Sequence, residues 1–130
     1  MFDHVGIRVT DVPASAALLL AVLAPVGRIE AMRHETPDGL VVGFADADAP
    51  QHPYFWIGPG TATEPRHESH IAFAAKDRAT VDAVGAAAEA AGVEILHAAR
   101  LWPEYHPTYY GVFFRDLDGN NIEAVCQSPE

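Results

Sequence analysis

Two histidines and a glutamate are the residues of this sequence whose types and positions best suit metal binding. His4 and His70 lie about 66 residues apart and begin two similar segments, HVGIRVTD and HIAFAAKD. In each segment apolar residues alternate with the others, so the histidine should face away from the core, and Glu123 alternates with its apolar neighbours in the same way. Two neutral imidazoles and a carboxylate on one sheet face can bind a divalent ion and leave coordination positions open. We therefore predict a metal site of His4, His70 and Glu123; the alternative is three unrelated polar residues on a solvated face.

A loop histidine and a nearby tyrosine are the candidates for proton transfer. His106 and Tyr109 lie in or beside the predicted loop 102–108, which would border such a site. A group of either type can exchange a proton with a metal-bound substrate. The alternative is a surface histidine and an aromatic residue packed on the sheet.

Four further residues are predicted to line a substrate pocket. Arg8 should lie on the same face of the strand as His4, where it is a candidate for binding a substrate carboxylate. A salt bridge within the protein is an equally good explanation for an arginine at this position. Trp56 and Trp102 are candidates for an aromatic wall, and Tyr110 adjoins the same loop. The alternative is that these rings belong to the core.

These candidates need strands to position them, and the sequence predicts two copies of one strand–helix–three-strand unit. In each copy an aspartate (Asp11, Asp77) is suited to cap the helix and a glycine (Gly27, Gly92) to end it. The predicted fold class is α+β, with two βαβββ modules at 1–62 and 63–130 forming a cupped mixed sheet. The predicted strands cover residues 1–10, 28–35, 40–45, 54–57, 68–74, 93–101, 109–115 and 120–126.

Length and charge limit the function classes. The 130 residues suffice for one domain, and the net charge of −10 argues against nucleic acid and against an anionic membrane as partner. The apolar run 12–27 is shorter than the roughly 20 residues that a spanning helix needs, and the first residues predict a strand rather than a signal peptide. A single cysteine, Cys126, leaves no internal disulfide and indicates a cytoplasmic protein.

The sequence resembles the vicinal oxygen chelate superfamily, which includes glyoxalase I, bleomycin-resistance proteins, fosfomycin-resistance enzymes and extradiol dioxygenases. The resemblance lies in DHVGI at residues 3–7, SHIAF at 69–73 and FFRDLDGNNIE at 113–123. The final turn departs from the usual Asp-Pro-Asp-Gly pattern at Leu117. The resemblance implies that His4, His70 and Glu123 bind one divalent ion per chain. It also implies a homodimer, in which modules of two chains often complete each site.

One ligand position departs from part of this family. Resemblance to glyoxalase I implies a second carboxylate on the last strand of the first module. Shifting Glu123 back by the repeat length gives a position near Ile57, and the segment YFWI at 54–57 contains no ligand. Three ligands resemble extradiol dioxygenases and fosfomycin-resistance enzymes instead. The latter need cationic side chains for a phosphonate, and Lys76 is the only lysine of this chain.

We therefore expect a divalent-metal enzyme that binds a small substrate through two adjacent oxygens. Dioxygenase-like chemistry on Fe2+ is the preferred interpretation, because two histidines and one carboxylate are typical of non-haem iron. Glyoxalase-like lyase or isomerase chemistry on Zn2+, Mn2+ or Ni2+ is the alternative. A third interpretation, from resemblance to bleomycin-resistance proteins, is a protein that sequesters a drug without turnover.

Overall fold

The computed structural model describes residues 2–61 and 67–129. Within these ranges the first half of the chain contains β1 (Val5–Val9), α1 (Val12–Leu23), β2 (Arg28–Thr36), β3 (Gly39–Asp46) and β4 (Phe55–Pro59). The second half contains β5 (His70–Ala74), α2 (Arg78–Ala90), β6 (Ile95–Leu101), β7 (Tyr110–Arg115) and β8 (Asn121–Cys126). The two halves therefore repeat the same order of elements, as the sequence predicts.

The helix boundaries follow from local chemistry that the two halves share. The carboxylate of Asp11 accepts the backbone N–H of Ala14 at 3.0 Å, and that of Asp77 accepts the N–H of Thr80 at 2.8 Å. Each bond satisfies a free N–H group of the first helical turn. After each helix a glycine takes a left-handed conformation, with φ of 77° at Gly27 and 73° at Gly92.

The predicted α+β fold of two βαβββ modules is confirmed. Each module forms a four-stranded mixed sheet, in the order β1-β4-β3-β2 for the first and β5-β8-β7-β6 for the second. In each sheet the first strand of the module pairs in parallel with its last strand, so that Gly6 pairs with Trp56 and Ala72 with Glu123. Because Gly6 and Ala72 are equivalent in the repeat, Trp56 occupies the position that Glu123 holds in the second module.

The core lies on the helix side of both sheets. α1 packs on the first sheet, α2 packs on the second, and the two helices contact each other. Buried side chains of both modules form one cluster, in which Phe55 and Phe73 meet edge to face with ring centroids 5.2 Å apart. Arg28 is buried at the same junction, where it forms an ion pair with Asp46 and donates to the carbonyl of Ala74 at 3.5 Å. The other face of each sheet, called the outer face below, is turned away from this shared core.

Most strand ends differ from the prediction by one to four residues, and β1 and β4 are the examples that concern the first sheet most. β1 begins at Val5 rather than at residue 1, and β4 continues through Pro59 instead of ending at residue 57. β4 is longer because its parallel pairing with β1 continues as far as Val9 and Pro59. Just beyond this pair, the N–H of Gly60 donates to the Val9 carbonyl at 2.8 Å.

The predicted module boundary between residues 62 and 63 lies outside the described residues. Within the described ranges, neither helix has the length and apolar character needed to cross a membrane.

Candidate metal centre

His70 and Glu123 lie together on the outer face of the second sheet. They stand on the parallel strands β5 and β8, where Glu123 pairs with Ala72, two residues beyond His70. Nε2 of His70 is 3.0 Å from Oε2 of Glu123; the glutamate side chain is 1% exposed and the histidine side chain 49% exposed. The structure thus brings two of the three predicted ligands into contact, one of them buried and the other open to solvent.

The hydrogen bond of the other ring nitrogen determines which nitrogen of His70 is free for a metal. Nδ1 is 3.2 Å from the backbone carbonyl oxygen of Asn121, and Nε2 is 3.0 Å from a carboxylate oxygen of Glu123; both oxygens only accept, so the tautomer that can bind a metal is the one in which Nδ1 keeps its proton and donates it to Asn121. Nε2 then directs its lone pair towards Glu123, the arrangement usual for a metal-binding histidine. Two ligand atoms about 2.1 Å from one ion and at right angles are about 3.0 Å apart. The separation of 3.0 Å between Nε2 and Oε2 therefore fits two adjacent ligands of a divalent ion.

Tyr109 supplies the second polar partner of Glu123. Its hydroxyl donates a hydrogen bond to Oε1, the oxygen that His70 does not contact. Gly111 leaves room for this arrangement, because a Cβ there would lie 3.1 Å from Oε1 and 3.3 Å from the Tyr109 ring. Burial, and then the hydrogen bond to the Glu123 carboxylate, raise the pKa of Tyr109 above its usual range. The phenol is therefore protonated at neutral pH and orients the carboxylate.

Aromatic rings surround the carboxylate. Phe113 pairs directly with Glu123 across β7 and β8, and its ring stacks on that of His70 with centroids 6.1 Å apart. Trp102, a predicted pocket residue, is 5% exposed; its indole N–H donates to the Gly111 carbonyl at 3.1 Å, and its ring meets Phe113 edge to face. These rings keep water from one side of the carboxylate and strengthen its electrostatic interactions.

The rings of His97, Trp102 and Phe113 form an aromatic wall beside the carboxylate, and the sequence analysis identified only Trp102 of these three. Alternation along β7 could have identified Phe113, because its neighbours Val112 and Phe114 belong to the core. His97 contacts Trp102 and Phe113 edge to face, with ring centroids at 4.9 and 5.6 Å. No simple alternation indicates this position, because the register of β6 against β7 shifts on both sides of His97.

His4 lies on the other module, just before β1. Its side chain is 62% exposed, and Nδ1 is 2.7 Å from Oδ1 of Asp3. In residues 2–61 and 67–129, no three or more His, Cys, Asp and Glu side chains are grouped so that they could hold a metal. One chain, as far as it is described, therefore joins His70 to Glu123 without His4, whose role as a ligand stays a prediction.

His106 and Tyr110 make contacts with other residues. His106 is exposed in the loop before β7, with Nδ1 3.0 Å from the Thr108 hydroxyl. The Tyr110 hydroxyl donates to Asp82 of α2 at 2.7 Å, so its ring faces the helix and not the aromatic wall. Successive residues of an extended chain point to opposite faces, which explains why Tyr109 reaches Glu123 and Tyr110 does not.

The other two predicted pocket residues, Arg8 and Trp56, share a cleft on the outer face of the first sheet. The cleft has a volume of about 430 Å³ and lies over β1 and β4, beside the turn between β2 and β3. Trp56 is half-buried and Arg8 is exposed, with Nη1 donating to the Pro59 carbonyl at 3.2 Å. Trp56 is the counterpart of Glu123 in the first module. The repeat shift gave a position near Ile57, in the segment 54–57, and the counterpart lies one residue earlier because the second module has one residue more between its paired strands.

The duplicated βαβββ modules define an α+β protein in which each module has one sheet face turned away from the core. A family model of the Glyoxalase/Bleomycin resistance protein/Dioxygenase superfamily matches residues 1–124. The chain belongs to this superfamily, which confirms the resemblance noted in the sequence.

Several solved structures share the fold of this chain. A glyoxalase/bleomycin resistance protein from Albidiferax ferrireducens T118 has a TM-score of 0.75 at 24% identity, covering 97% of this chain and 98% of that one. The fosfomycin resistance protein FosX from Listeria monocytogenes has a TM-score of 0.69 at 20% identity, with coverages of 98% and 93%. Lactoylglutathione lyase from Agrobacterium tumefaciens has a TM-score of 0.67 at 23% identity, with coverages of 97% and 92%. No curated protein matches at a significant level. At these identities the likeness establishes the fold alone.

Proposed function

We propose that the protein is a divalent-metal enzyme that binds a small substrate through two adjacent oxygens, with His4, His70 and Glu123 as the ligands. The observation that carries the proposal is the His70–Glu123 pair. A carboxylate that is 1% exposed is costly unless charged or polar groups satisfy it. An ion held by Nε2 and Oε2 would satisfy it while Oε1 keeps its hydrogen bond from Tyr109.

We propose that His4 comes from a second copy of the chain, in a homodimer. In the described chain β1 and β5 are edge strands, and an unpaired strand edge favours association. His4 and His70 are 62% and 49% exposed at their side chains, although metal ligands are normally enclosed. Placing the outer face of one chain's first sheet against the outer face of the partner's second sheet would enclose both. It would also bring Arg8 and Trp56 to the site.

Among metal-dependent reactions we favour a dioxygenase-like one. The position where glyoxalase I resemblance implies a fourth ligand is Trp56, whose indole N–H can only donate. Three protein ligands leave room for two substrate oxygens and for dioxygen. Bound Fe2+, the favoured ion, would supply Lewis acidity and redox chemistry with oxygen. The Tyr109 phenol, whose proton is donated to Glu123, would accept a hydrogen bond from a substrate hydroxyl, and His106 is the candidate base in the same loop.

Metal analysis and oxygen uptake test this proposal together. The purified protein should hold about one divalent ion per chain, and His4→Ala, His70→Ala or Glu123→Ala should each abolish binding. Since imidazole binds a metal only when neutral, affinity should weaken as the pH falls through roughly 6. Iron-loaded protein should then consume oxygen with a catechol-like substrate. Full metal affinity in the Glu123→Ala protein would disprove the ligand set.

Two other activities are alternatives, and the names of neighbouring structures favour the first of them, lyase or isomerase chemistry. A point mutant of FosX from Listeria monocytogenes has been crystallised with Mn(II) and 1S,2S-dihydroxypropylphosphonic acid, and another neighbour is a lactoylglutathione lyase. Lyase or isomerase chemistry on Mn2+, Zn2+ or Ni2+ would proceed undiminished without oxygen. Drug sequestration would appear as binding of a planar molecule to metal-free protein with no turnover of any substrate.

The charge and the single cysteine bear on partners and location. A net charge of −10 favours a small molecule over nucleic acid or a membrane as the partner, and the free buried thiol of Cys126 suits the cytoplasm.

A further inference from the structure

We infer that the cleft on the first sheet binds a planar aromatic anion, with its ring on Trp56 and its carboxylate at Arg8. The inference deepens the proposed function and rests on it in taking this ligand to be the substrate. Binding itself needs no metal, so it can be measured separately.

Two glycines flank Trp56 on the outer face of the first sheet, and they allow its ring to lie flat on the strands. Across β1, β4 and β3, Trp56 pairs with Gly6 on one side and with Gly43 on the other, all on the outer face. A Cβ at Gly43 would lie 2.8 Å from two ring atoms of Trp56, so the indole lies across β3 and occupies the space of that missing side chain. Glycine in a strand marks this kind of close approach. The indole is therefore held flat and presents an extended aromatic surface.

The opposite side of Trp56 is left open for a ligand. A Cβ at Gly6 would come no closer than 3.5 Å to any atom of Trp56, so the indole does not cover this position. Gly58, the next outward-facing residue of β4, would place a Cβ within 4 Å of a single atom, Cγ2 of Val41. Two glycines beside a fixed indole thus form a shallow trough that runs towards Arg8, the partner of Gly58 across β1 and β4. Such a trough suits a flat ring stacked on the indole.

Arg8 supplies the charge for an anion. Its guanidinium donates to the Pro59 carbonyl at 3.2 Å, and no ion pair of Arg8 is found within the described part of the chain. By contrast, four other arginines have carboxylate partners: Arg28, Arg33, Arg100 and Arg115. In a chain of net charge −10, an arginine on a cleft without such a partner is available for a ligand carboxylate. Asp38 is the other charged residue that lines the cleft.

The position of this cleft also defines the shape of the ligand. Arg8 and His4 are four residues apart, which corresponds to about 13 Å along an extended chain. Both side chains are long enough to contact a molecule that lies between them. An aromatic acid of one or two rings, with adjacent oxygens at the end remote from its carboxylate, has the matching arrangement.

Binding to metal-free protein tests the inference, with 2-naphthoate and its uncharged amide as the probes. In equilibrium dialysis we expect the naphthoate to bind about tenfold more tightly than the amide, the effect of one charge-assisted contact of about 1.4 kcal/mol. Arg8→Gln should remove this preference. The matched control is Arg33→Gln, which changes the net charge equally but faces the core side, opposite Val42. Asp38→Asn should strengthen binding several-fold.

A second readout locates the ring. The chain has two tryptophans, so the NMR spectrum of the free protein should contain two indole N–H signals. Naphthoate should shift the signal of Trp56 and leave that of the buried Trp102 unchanged, and Trp56→Leu should weaken binding about fivefold or more. Equal binding of acid and amide, equal effects of the two arginine variants, or no binding would each overturn the inference. The metal content of the protein before its metal is removed reports separately on the proposed function.

Discussion

Removing the Tyr109 hydroxyl tests how the buried carboxylate is satisfied. Tyr109→Phe deletes the donor to Oε1 of Glu123 and keeps the ring, whose edge-to-face contact with Tyr105 has centroids 5.3 Å apart. The carboxylate is 1% exposed, so water does not readily replace the donor. A hydrogen bond to a charged group contributes about 1.5–3 kcal/mol. We take the lower value, because Tyr109 itself is only half-buried.

The expected loss of about 1.5 kcal/mol is measurable by urea unfolding of metal-free protein. With a slope of about 1–3 kcal/mol/M, the midpoint should fall by roughly 0.5–1.5 M. Tyr105→Phe is the matched control: Tyr105 is 62% exposed, and its ring stacks on Trp102 at 5.6 Å, a contact that phenylalanine keeps. The control should unfold within about 0.5 kcal/mol of the parent.

The two tyrosine variants also separate this explanation from general loosening of the aromatic wall. A bound divalent ion gives Glu123 a further partner, so the deficit of Tyr109→Phe should shrink when metal is added. If Tyr109→Phe and Tyr105→Phe unfold at the same urea concentration without metal, the hydroxyl does not stabilise the buried carboxylate and the reasoning fails.

Three further predictions concern other parts of the molecule. Burial raises the pKa of Tyr54 to about 12, so its contribution to stability should persist below about pH 10 and be lost between pH 10 and 12; the urea midpoint of the parent should approach that of Tyr54→Phe over this range. Gly43→Ala should destabilise the fold by about 1–3 kcal/mol in urea and shift the fluorescence of Trp56, because the new methyl group meets the indole at 2.8 Å; an unchanged spectrum would contradict this. His106→Ala should slow turnover by about 10²-fold or more in steady-state assays, if His106 is the base, and leave metal content unchanged.

The fold was predictable because two independent periodicities agree. The repeat from His4 to His70 revealed the duplication, and strand alternation then gave the facing of each residue. The same alternation placed His70 and Glu123 on one face, where the structure finds them in contact. Caps at Asp11 and Asp77 marked both helix starts correctly.

The remaining features depend on information that alternation does not carry. The repeat shift located the counterpart of Glu123 only near Ile57; the counterpart is Trp56, because the second module has one residue more between its paired strands. Bulges in β6 hid the role of His97. Alternation gives the face on which His4 lies, but it says nothing about which chain covers that face.

The central claim, a metal centre shared between two chains, is tested most directly by metal analysis of a heterodimer of His4→Ala and Glu123→Ala chains, purified through two different tags. Each variant alone should bind no metal. In the heterodimer, the His4→Ala chain keeps His70 and Glu123 and can receive His4 from its partner, so one site is whole and the other lacks two ligands. We expect about one ion per heterodimer, or about half an ion per chain. No metal in the heterodimer, with one ion per chain in the parent protein, would contradict a shared centre.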